Sequence, residues 1–328
     1  MSGSGATALV TGAGGFIGSH LCERLVAEDV SVRAMCRYTS RNEIGSLRHV
    51  ADDRRSEIEI LFGDLLDEYF VRRALAGVET VFHLGASISV PYSYVAPRQV
   101  IATNVAGTLN VLLAARDAEA RRVVHLSSSE VYGTAQMVPI DERHPLHPQS
   151  PYAASKVGAD KLAESFNLSF ELPVVIARPF NTFGPRQSLR AVIPTVVAQA
   201  VAGDRIAVGN TAPTRDFVYV ADTVDALWLL GSSDAGAGET FNIATGVDIA
   251  VGSVVDLVGE LLGRELAVVV EEERLRPPAS EVYRLLGDAT KIREVFGWEP
   301  LTPFRDGVRN VIDWMEHNAS DPSPAYAV

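Results

Sequence analysis

Tyr152 and Lys156 stand four residues apart in Tyr152-Ala153-Ala154-Ser155-Lys156, at the head of a stretch to Ser169 whose apolar residues recur every three or four positions. That spacing puts both side chains on one helix face, where an ammonium lowers the pKa of a neighbouring phenol. A phenolate tuned in this way removes a hydroxyl proton while hydride leaves the same carbon for a nicotinamide ring. Upstream, Ser127-Ser128-Ser129-Glu130-Val131-Tyr132-Gly133 follows a short apolar run, and Ser128 at its mouth can donate a hydrogen bond to the same oxygen. A Y-x-x-x-K pair alone marks many ordinary exposed helices. Its chemistry requires a hydride acceptor held elsewhere in the chain.

A place for that acceptor is written near the start. The apolar run Ala6 to Val10 passes into Thr11-Gly12-Ala13-Gly14-Gly15-Phe16-Ile17-Gly18 and then a helical pattern, so Gly12, Gly15 and Gly18 form a G-x-x-G-x-x-G loop. Glycine is required where the backbone turns tightly, where a pyrophosphate approaches the amides, and where a helix packs closely on a sheet. Phe16 and Ile17, inside the loop, are counted with the cofactor site. The second apolar run ends in Met35-Cys36-Arg37-Tyr38-Thr39-Ser40-Arg41, which offers no carboxylate to a ribose diol, whereas Arg37, Ser40 and Arg41 can receive the extra phosphate of NADP. The same residues read equally as solvated loop charges, so NAD and NADP both stay open.

The elements that must carry these motifs follow from periodicity. Short apolar runs begin at Ala6, Val30, Ile58, Thr80, Arg122 and Val174, and helical patterns lie between them at 17–28, 68–75, 98–117 and 152–169. The alternation predicts an α/β fold with a doubly wound parallel sheet covered by helices on both faces. Past Pro179 come helical patterns over 192–202, to Leu230, over 251–262 and over 304–316, with strands near 216–220, 241–244 and 266–271. Residues 1–179 are read as a dinucleotide-binding domain, with 216–244 returning to it, and 180–215 plus 245–320 as a smaller substrate domain. Residues 321–328 read as a frayed tail.

Composition removes other classes of function. The 328 residues are 47% hydrophobic and 21% charged, enough for a sizeable core. Asp and Glu number 41 against 29 Lys and Arg, a net charge of −12, which argues against nucleic-acid and anionic-membrane partners because both need a basic footprint. Two cysteines, Cys22 and Cys36, cannot build a disulfide framework and match no metal spacing, so no metal is expected and a reducing cytoplasm fits best. Neither a signal peptide nor a membrane-spanning helix is expected from the apolar runs.

Further segments are His83-Leu84-Gly85-Ala86, Thr103-Asn104-Val105-Ala106-Gly107-Thr108, Arg178-Pro179-Phe180-Asn181-Thr182-Phe183-Gly184-Pro185-Arg186 and Arg215-Asp216-Phe217-Val218-Tyr219-Val220-Ala221-Asp222. With them, nearly the whole chain resembles an extended short-chain dehydrogenase/reductase that acts on nucleotide sugars. The resemblance implies a Rossmann-type sheet, a smaller C-terminal α/β substrate domain, and an NAD or NADP that stays tightly bound and is recycled. It sets Asp64 and Leu65 near the adenine, although Asp64 reads equally as a helix cap, and Leu84, Ala86 and Asn104 along the cofactor. It sets Ser87, Asn181, Arg186, Arg215 and Arg276 around the sugar diphosphate, whose oxygens suit an Arg fork. The helices at 98–117 and 152–169 resemble those of a four-helix homodimer interface, though their apolar faces can equally be buried within one subunit.

Glu130 selects among the reactions that the resemblance allows. Once carbon 4 of a hexose is a ketone, the carbon 5 proton is acidic and a carboxylate beside it can remove it. The similar 4-epimerases generally carry a small or hydroxyl residue there, and 4,6-dehydratases carry Glu. Ser129 stands where glucose-type dehydratases have Asp, as in the mannose-type, so Glu130 would both take the carbon 5 proton and protonate the leaving hydroxyl, aided by Ser129. UDP-glucuronate decarboxylases share Ser-Glu but usually have Tyr-Asp-Glu-Gly-Lys around the catalytic pair. The segment at 88–97, Ser-Glu-Val-Tyr-Gly-Thr-Ala-Gln, Val-Pro-Ile-Asp-Glu and Asn-Thr-Phe-Gly-Pro-Arg-Gln resemble UDP-N-acetylglucosamine 4,6-dehydratases. A 4-epimerase, a decarboxylase and a non-catalytic cofactor sensor stay as alternatives; the sensor would lack the Ser, Tyr or Lys that this chain retains.

Overall fold

The computed structural model describes residues 6–275 and 277–318. Six strands come first along the chain, β1 (Thr7–Thr11), β2 (Ser31–Arg37), β3 (Ile58–Gly63), β4 (Thr80–His83), β5 (Arg122–Leu126) and β6 (Val174–Pro179). Seven more follow: β7 (Asn181–Phe183), β8 (Arg205–Val208), β9 (Thr214–Tyr219), β10 (Thr240–Ile243), β11 (Asp248–Ala250), β12 (Ala267–Val270) and β13 (Arg284–Leu285). The large sheet is parallel throughout and runs β10-β6-β5-β4-β1-β2-β3. β4 and β6 are buried at every residue, so neither shows an alternation of buried and exposed positions, and their polar members Thr80, His83 and Arg178 lie inside.

Side chains of one strand feed two cores. Ala8 and Val10 of β1 join Leu21, Leu25, Leu227 and Leu230 on one face, while Leu9 joins Val71, Leu75, Val111, Leu112 and Phe166 on the other. The chain winds outward from β1 to β3, then returns to lay β4 on the opposite side of β1, so the strand order reverses between β1 and β4. Crevices at the carboxyl ends of strands beside such a reversal are where doubly wound sheets hold ligands.

A second lobe is built from β9, paired antiparallel with β11 and parallel with β7 and β13, and from the separate pair β8 and β12. The helices Val192–Ala202, Val251–Leu262 and Phe304–His317 close around it on a third core containing Phe183, Val196, Val254 and Val311. The strand expected at 216–220 is β9, which lies in this lobe and not in the large sheet. The return to the large sheet starts at the helix Val220–Ser232 and ends with β10 beside β6. The pattern at 98–117 is also more than one regular helix: Pro97–Ile101 and Gly107–Asp117 flank a π turn, Ala102–Ala106. No helix among the described residues is long and apolar enough to cross a membrane. The tail assigned to 321–328 lies outside the described residues.

Candidate active site

The glycine loop leaves β1 and enters the helix Phe16–Ala27, and each of its glycines has a steric reason. Gly12 has φ +71°, and a Cβ there would lie 2.9 Å from the Gly85 backbone on the adjoining strand end. At Gly18 a Cβ would come within 2.3 Å of the Gly12 carbonyl oxygen, so helix and loop pack at backbone contact. Gly15 is the helix N-cap and supplies no side chain to the first-turn amides, which leaves those donors for an anion. This bare, positively polarised helix end fits a dinucleotide pyrophosphate.

Other expected cofactor residues are arranged around that loop. Arg37 at the end of β2 and Ser40 and Arg41 beyond it are exposed, and the segment after them is tied back through the Ser46 amide, which donates to the Gly14 carbonyl at 2.8 Å. Asp64 is exposed and its carboxylate accepts from the Leu66 amide at 2.9 Å in a turn that precedes the helix Glu68–Leu75, whose cap is Asp67 and not Asp64. Leu65 is buried under Gly85 and Gly107, and Leu84 and Ala86 are half-buried at the end of β4. His83 lies beneath them between Thr11 and Thr108, at 2.8 and 2.9 Å. Because the Thr108 hydroxyl donates to the Asn104 carbonyl, the imidazole Nε2 must be the donor to Thr108 and Nδ1 the acceptor from Thr11. Burial, with His125 and Lys156 nearby, pushes the His83 pKa well down, in keeping with that single neutral tautomer.

Asn104 sits in the π turn and is 1% exposed. Its amide clasps the Ser87 backbone, accepting from N–H at 2.7 Å and donating to C=O at 3.0 Å, and also donates to the Ser155 hydroxyl at 2.9 Å. It thus braces the loop after β4 against the helix Pro151–Phe170 rather than facing a ligand. Ser87, expected at the sugar, is held half-buried by this clasp.

Tyr152 and Lys156 are both buried on that helix, which Ser150 caps by accepting from the Ala153 amide. Lys156 donates to the Leu126 carbonyl oxygen at 2.6 Å, joining the helix to the end of β5. Desolvation lowers its pKa to about 8, with Asp160 working in the opposite direction. The phenol is not lowered by its neighbour as the spacing suggested. Burial raises Tyr152 to about 12, the Glu130 and Asp160 charges add to the rise, and a hydrogen bond with Ser128 opposes it. Desolvation therefore outweighs the one opposing contribution, the Ser128 hydrogen bond.

Ser129–Tyr132 forms a 3-10 turn with Ser128 as its cap. Ser128 and Glu130 are half-buried, whereas Ser129 is 2% exposed, so Ser128 and Glu130 are the more accessible members of the triplet. The turn ends at Gly133, φ +65°, where a Cβ would strike the His147 carbonyl oxygen at 2.1 Å. The site thus has a phenol with a serine partner, an ammonium and, on a separate turn, a carboxylate close enough to influence the phenol.

On the second lobe, Asn181 donates to the Asp216 carbonyl at 3.4 Å, and Arg215 is 8% exposed with Nη2 3.6 Å from Glu281. Arg186 differs from expectation. With φ +69° it turns back onto the glycine-loop helix, donating to Glu23 at 2.5 Å and to the His49 carbonyl at 3.2 Å, so it anchors one lobe to the other instead of reaching a sugar. Arg276 lies outside the described residues.

Sequence reasoning missed a buried polar cluster behind the site. The Asp160 carboxylate accepts from the Ser127 hydroxyl at 2.9 Å and from Arg178 Nε and Nη2 at 3.2 and 2.9 Å, and His125 Nε2 lies 3.3 Å away. Burial works to raise the Asp160 pKa, but His125, Arg178 and Lys156 hold it below its ordinary value. The signal was present: 152, 156 and 160 share one helix face.

The family model for GDP-mannose 4,6 dehydratase matches residues 9–311. The chain is 32% identical to a UDP-glucose 4-epimerase of Mycolicibacterium smegmatis over 95% of this chain and 99% of that protein. It is also 32% identical to a dTDP-glucose 4,6-dehydratase of Actinoplanes sp., over 95% and 98% respectively. Among solved structures, DesIV, a dTDP-glucose 4,6-dehydratase from Streptomyces venezuelae with NAD bound, superimposes with a TM-score of 0.86 at 30% identity, covering 95% of this chain and 97% of that one.

Proposed function

The chain belongs to the GDP-mannose 4,6-dehydratase family, and on that premise we propose that it is a redox-neutral, NAD-dependent lyase that converts a nucleotide-diphosphate hexose to its 4-keto-6-deoxy sugar. The observation that carries this reading is Glu130, half-buried on its own turn and charged closely enough to Tyr152 to raise the phenol's pKa. A 4-epimerase has no use for a carboxylate there. UDP-N-acetylglucosamine is the substrate we assign, on the sequence resemblance described above. NAD, bound in the solved relative, is the cofactor we assign; the mass of the nucleotide released on denaturation distinguishes it from NADP.

Gly12, Gly15 and Gly18 would hold a dinucleotide at the head of the helix Phe16–Ala27, where its nicotinamide would supply reversible hydride storage between carbons 4 and 6 of the sugar. The protein's residues do the proton work. Tyr152 takes the carbon 4 hydroxyl proton as the base, with Ser128 hydrogen-bonded to the phenol. Glu130 removes the carbon 5 proton and protonates the carbon 6 hydroxyl, which departs as water. A solvent proton is then taken up at carbon 5 as the 4-ketone re-forms.

The identity to a 4-epimerase matches that to the dehydratase, so the experiment must separate the two. The protein is incubated in deuterated water with UDP-N-acetylglucosamine and then with UDP-, dTDP-, GDP- and CDP-hexoses, and the products are weighed by mass spectrometry. Loss of one water with one deuterium gained is the expected result and identifies the sugar. An unchanged nucleotide-sugar skeleton with a new stereocentre makes the protein an epimerase, and loss of carbon dioxide from UDP-glucuronate makes it a decarboxylase. A homodimer through the helices within 97–117 and 151–170 is part of this reading, supported by the exposed Ile101, Leu168 and Phe170 on them, and light scattering tests it.

A further inference from the structure

The proposed cycle asks two groups on different elements to act on neighbouring carbons of one sugar: Tyr152 on its helix and Glu130 on the 3-10 turn. We propose that Arg178 is a positioning residue that holds these two elements at a fixed separation, gripping Asp160 on one side and Tyr132 on the other. The inference rests on the dehydratase reading.

Arg178 projects from β6 and is 3% exposed. Its Nε and Nη2 donate to Asp160, two turns along the helix from Tyr152 and one from Lys156. Its Nη1 donates to the Tyr132 hydroxyl at 3.1 Å, with the guanidinium carbon 5.1 Å from the ring centroid. Tyr132 closes the turn that carries Glu130 two residues earlier, and it is wholly buried. Its own hydroxyl donates to Asn242 at 2.8 Å, on β10 in register with Arg178. One planar group therefore contacts both catalytic elements along different edges. An ammonium offers no such fork.

The chemistry of the cluster argues for a positioning role. Buried ion pairs contribute little net stability over apolar residues of the same volume, because desolvation consumes the Coulomb gain. They do impose direction, and here the direction runs from the phenol's helix to the carboxylate's turn. A shift of about 1 Å in Glu130 relative to carbon 5 would slow proton removal by one to two orders of magnitude while leaving hydride departure at carbon 4 intact.

The test uses the full-length chain with cofactor bound and UDP-N-acetylglucosamine, or whichever sugar the mass screen identifies, mixed in a stopped-flow instrument. Absorbance of reduced nicotinamide reports carbon 4 oxidation, and quenched samples report loss of water. Tyr132→Phe removes one oxygen and leaves the buried ring; Arg178→Lys keeps a charge for Asp160 but loses the fork. Both are expected to slow water loss by about tenfold or more with oxidation nearly unchanged, so reduced cofactor accumulates where wild type shows little. Equal slowing of both steps, or unchanged kinetics, in Tyr132→Phe overturns the assignment of Arg178. A wild-type chain that turns over sugar without losing water ends the dehydratase reading instead, and this inference with it.

Discussion

Lys156 and Asp160 lie one turn apart on the same helix, yet the Lys156 ammonium donates to the Leu126 carbonyl while the Asp160 carboxylate is taken by Ser127 and Arg178. The ammonium is therefore buried against a neutral oxygen, and its pKa falls to about 8. Below pH 8 the folded and unfolded chains both hold this proton and the folded state bears the burial penalty. Between about 8 and 10.5 the unfolded chain still holds it and the folded chain has released it, so this group makes stability rise with pH, by on the order of 3 kcal/mol across the window. Denaturant midpoints of wild type and Lys156→Met at pH 7 and pH 9.5 measure it. The rise should be confined to wild type, and parallel curves would remove the burial argument.

Glu130→Gln keeps the shape of the turn and removes the base. Water loss should fall by at least about a hundredfold, the usual range for a lost general base, while added sugar still partly reduces the bound cofactor. Unaltered water loss in this variant would return Glu130 to a structural role.

Tyr152→Phe should stop both steps, because oxidation at carbon 4 precedes elimination. The readout is the absence of reduced cofactor on addition of sugar. Retained hydride transfer removes the phenol from the mechanism.

Gly18→Ala places a methyl group in steric overlap with the Gly12 carbonyl, since the Cβ position is 2.3 Å away and the obstacle is backbone. The loop must open to accept it. Purified variant should carry much less nucleotide than wild type, as read by absorbance of the denatured protein's supernatant; full occupancy would contradict the close packing.

Arg186→Gln tests the corrected role of that arginine. Its ion pair with Glu23 has side chains 10% and 20% exposed, and losing it should destabilise the fold by about 1–3 kcal/mol. The KM for nucleotide sugar should stay within about twofold, as for loss of a group outside the binding site. A large rise in KM with unchanged stability would restore Arg186 to the substrate.

The parts of this molecule readable from sequence are those governed by local rules. Glycine spacing, a strand followed by a helix, and two residues four apart are short-range patterns, and they located the loop and the Tyr152–Lys156 face. Long-range pairing was not readable. Nothing local says that Arg186 folds back on Glu23, that Asn104 clasps Ser87, or that β9 leaves the large sheet, because each depends on contacts between segments far apart in the chain. The phenol's pKa failed for a related reason: spacing counts neighbours but not water, and the depth at which Tyr152 lies decides its sign.

Arg186 also has a mechanical consequence. The chain passes between the large sheet and the smaller lobe at Phe180, at Tyr219–Val220, between β10 and β11, after β13 and again after Trp298, and the Arg186 tie adds a lateral strut. A hinge needs a few residues free to absorb a rotation, and repeated crossings with a buried strut leave none unopposed. The two lobes are therefore expected to behave as a single stiff jaw, so that a ligand between them enters and leaves past surface loops rather than by a swing of one lobe.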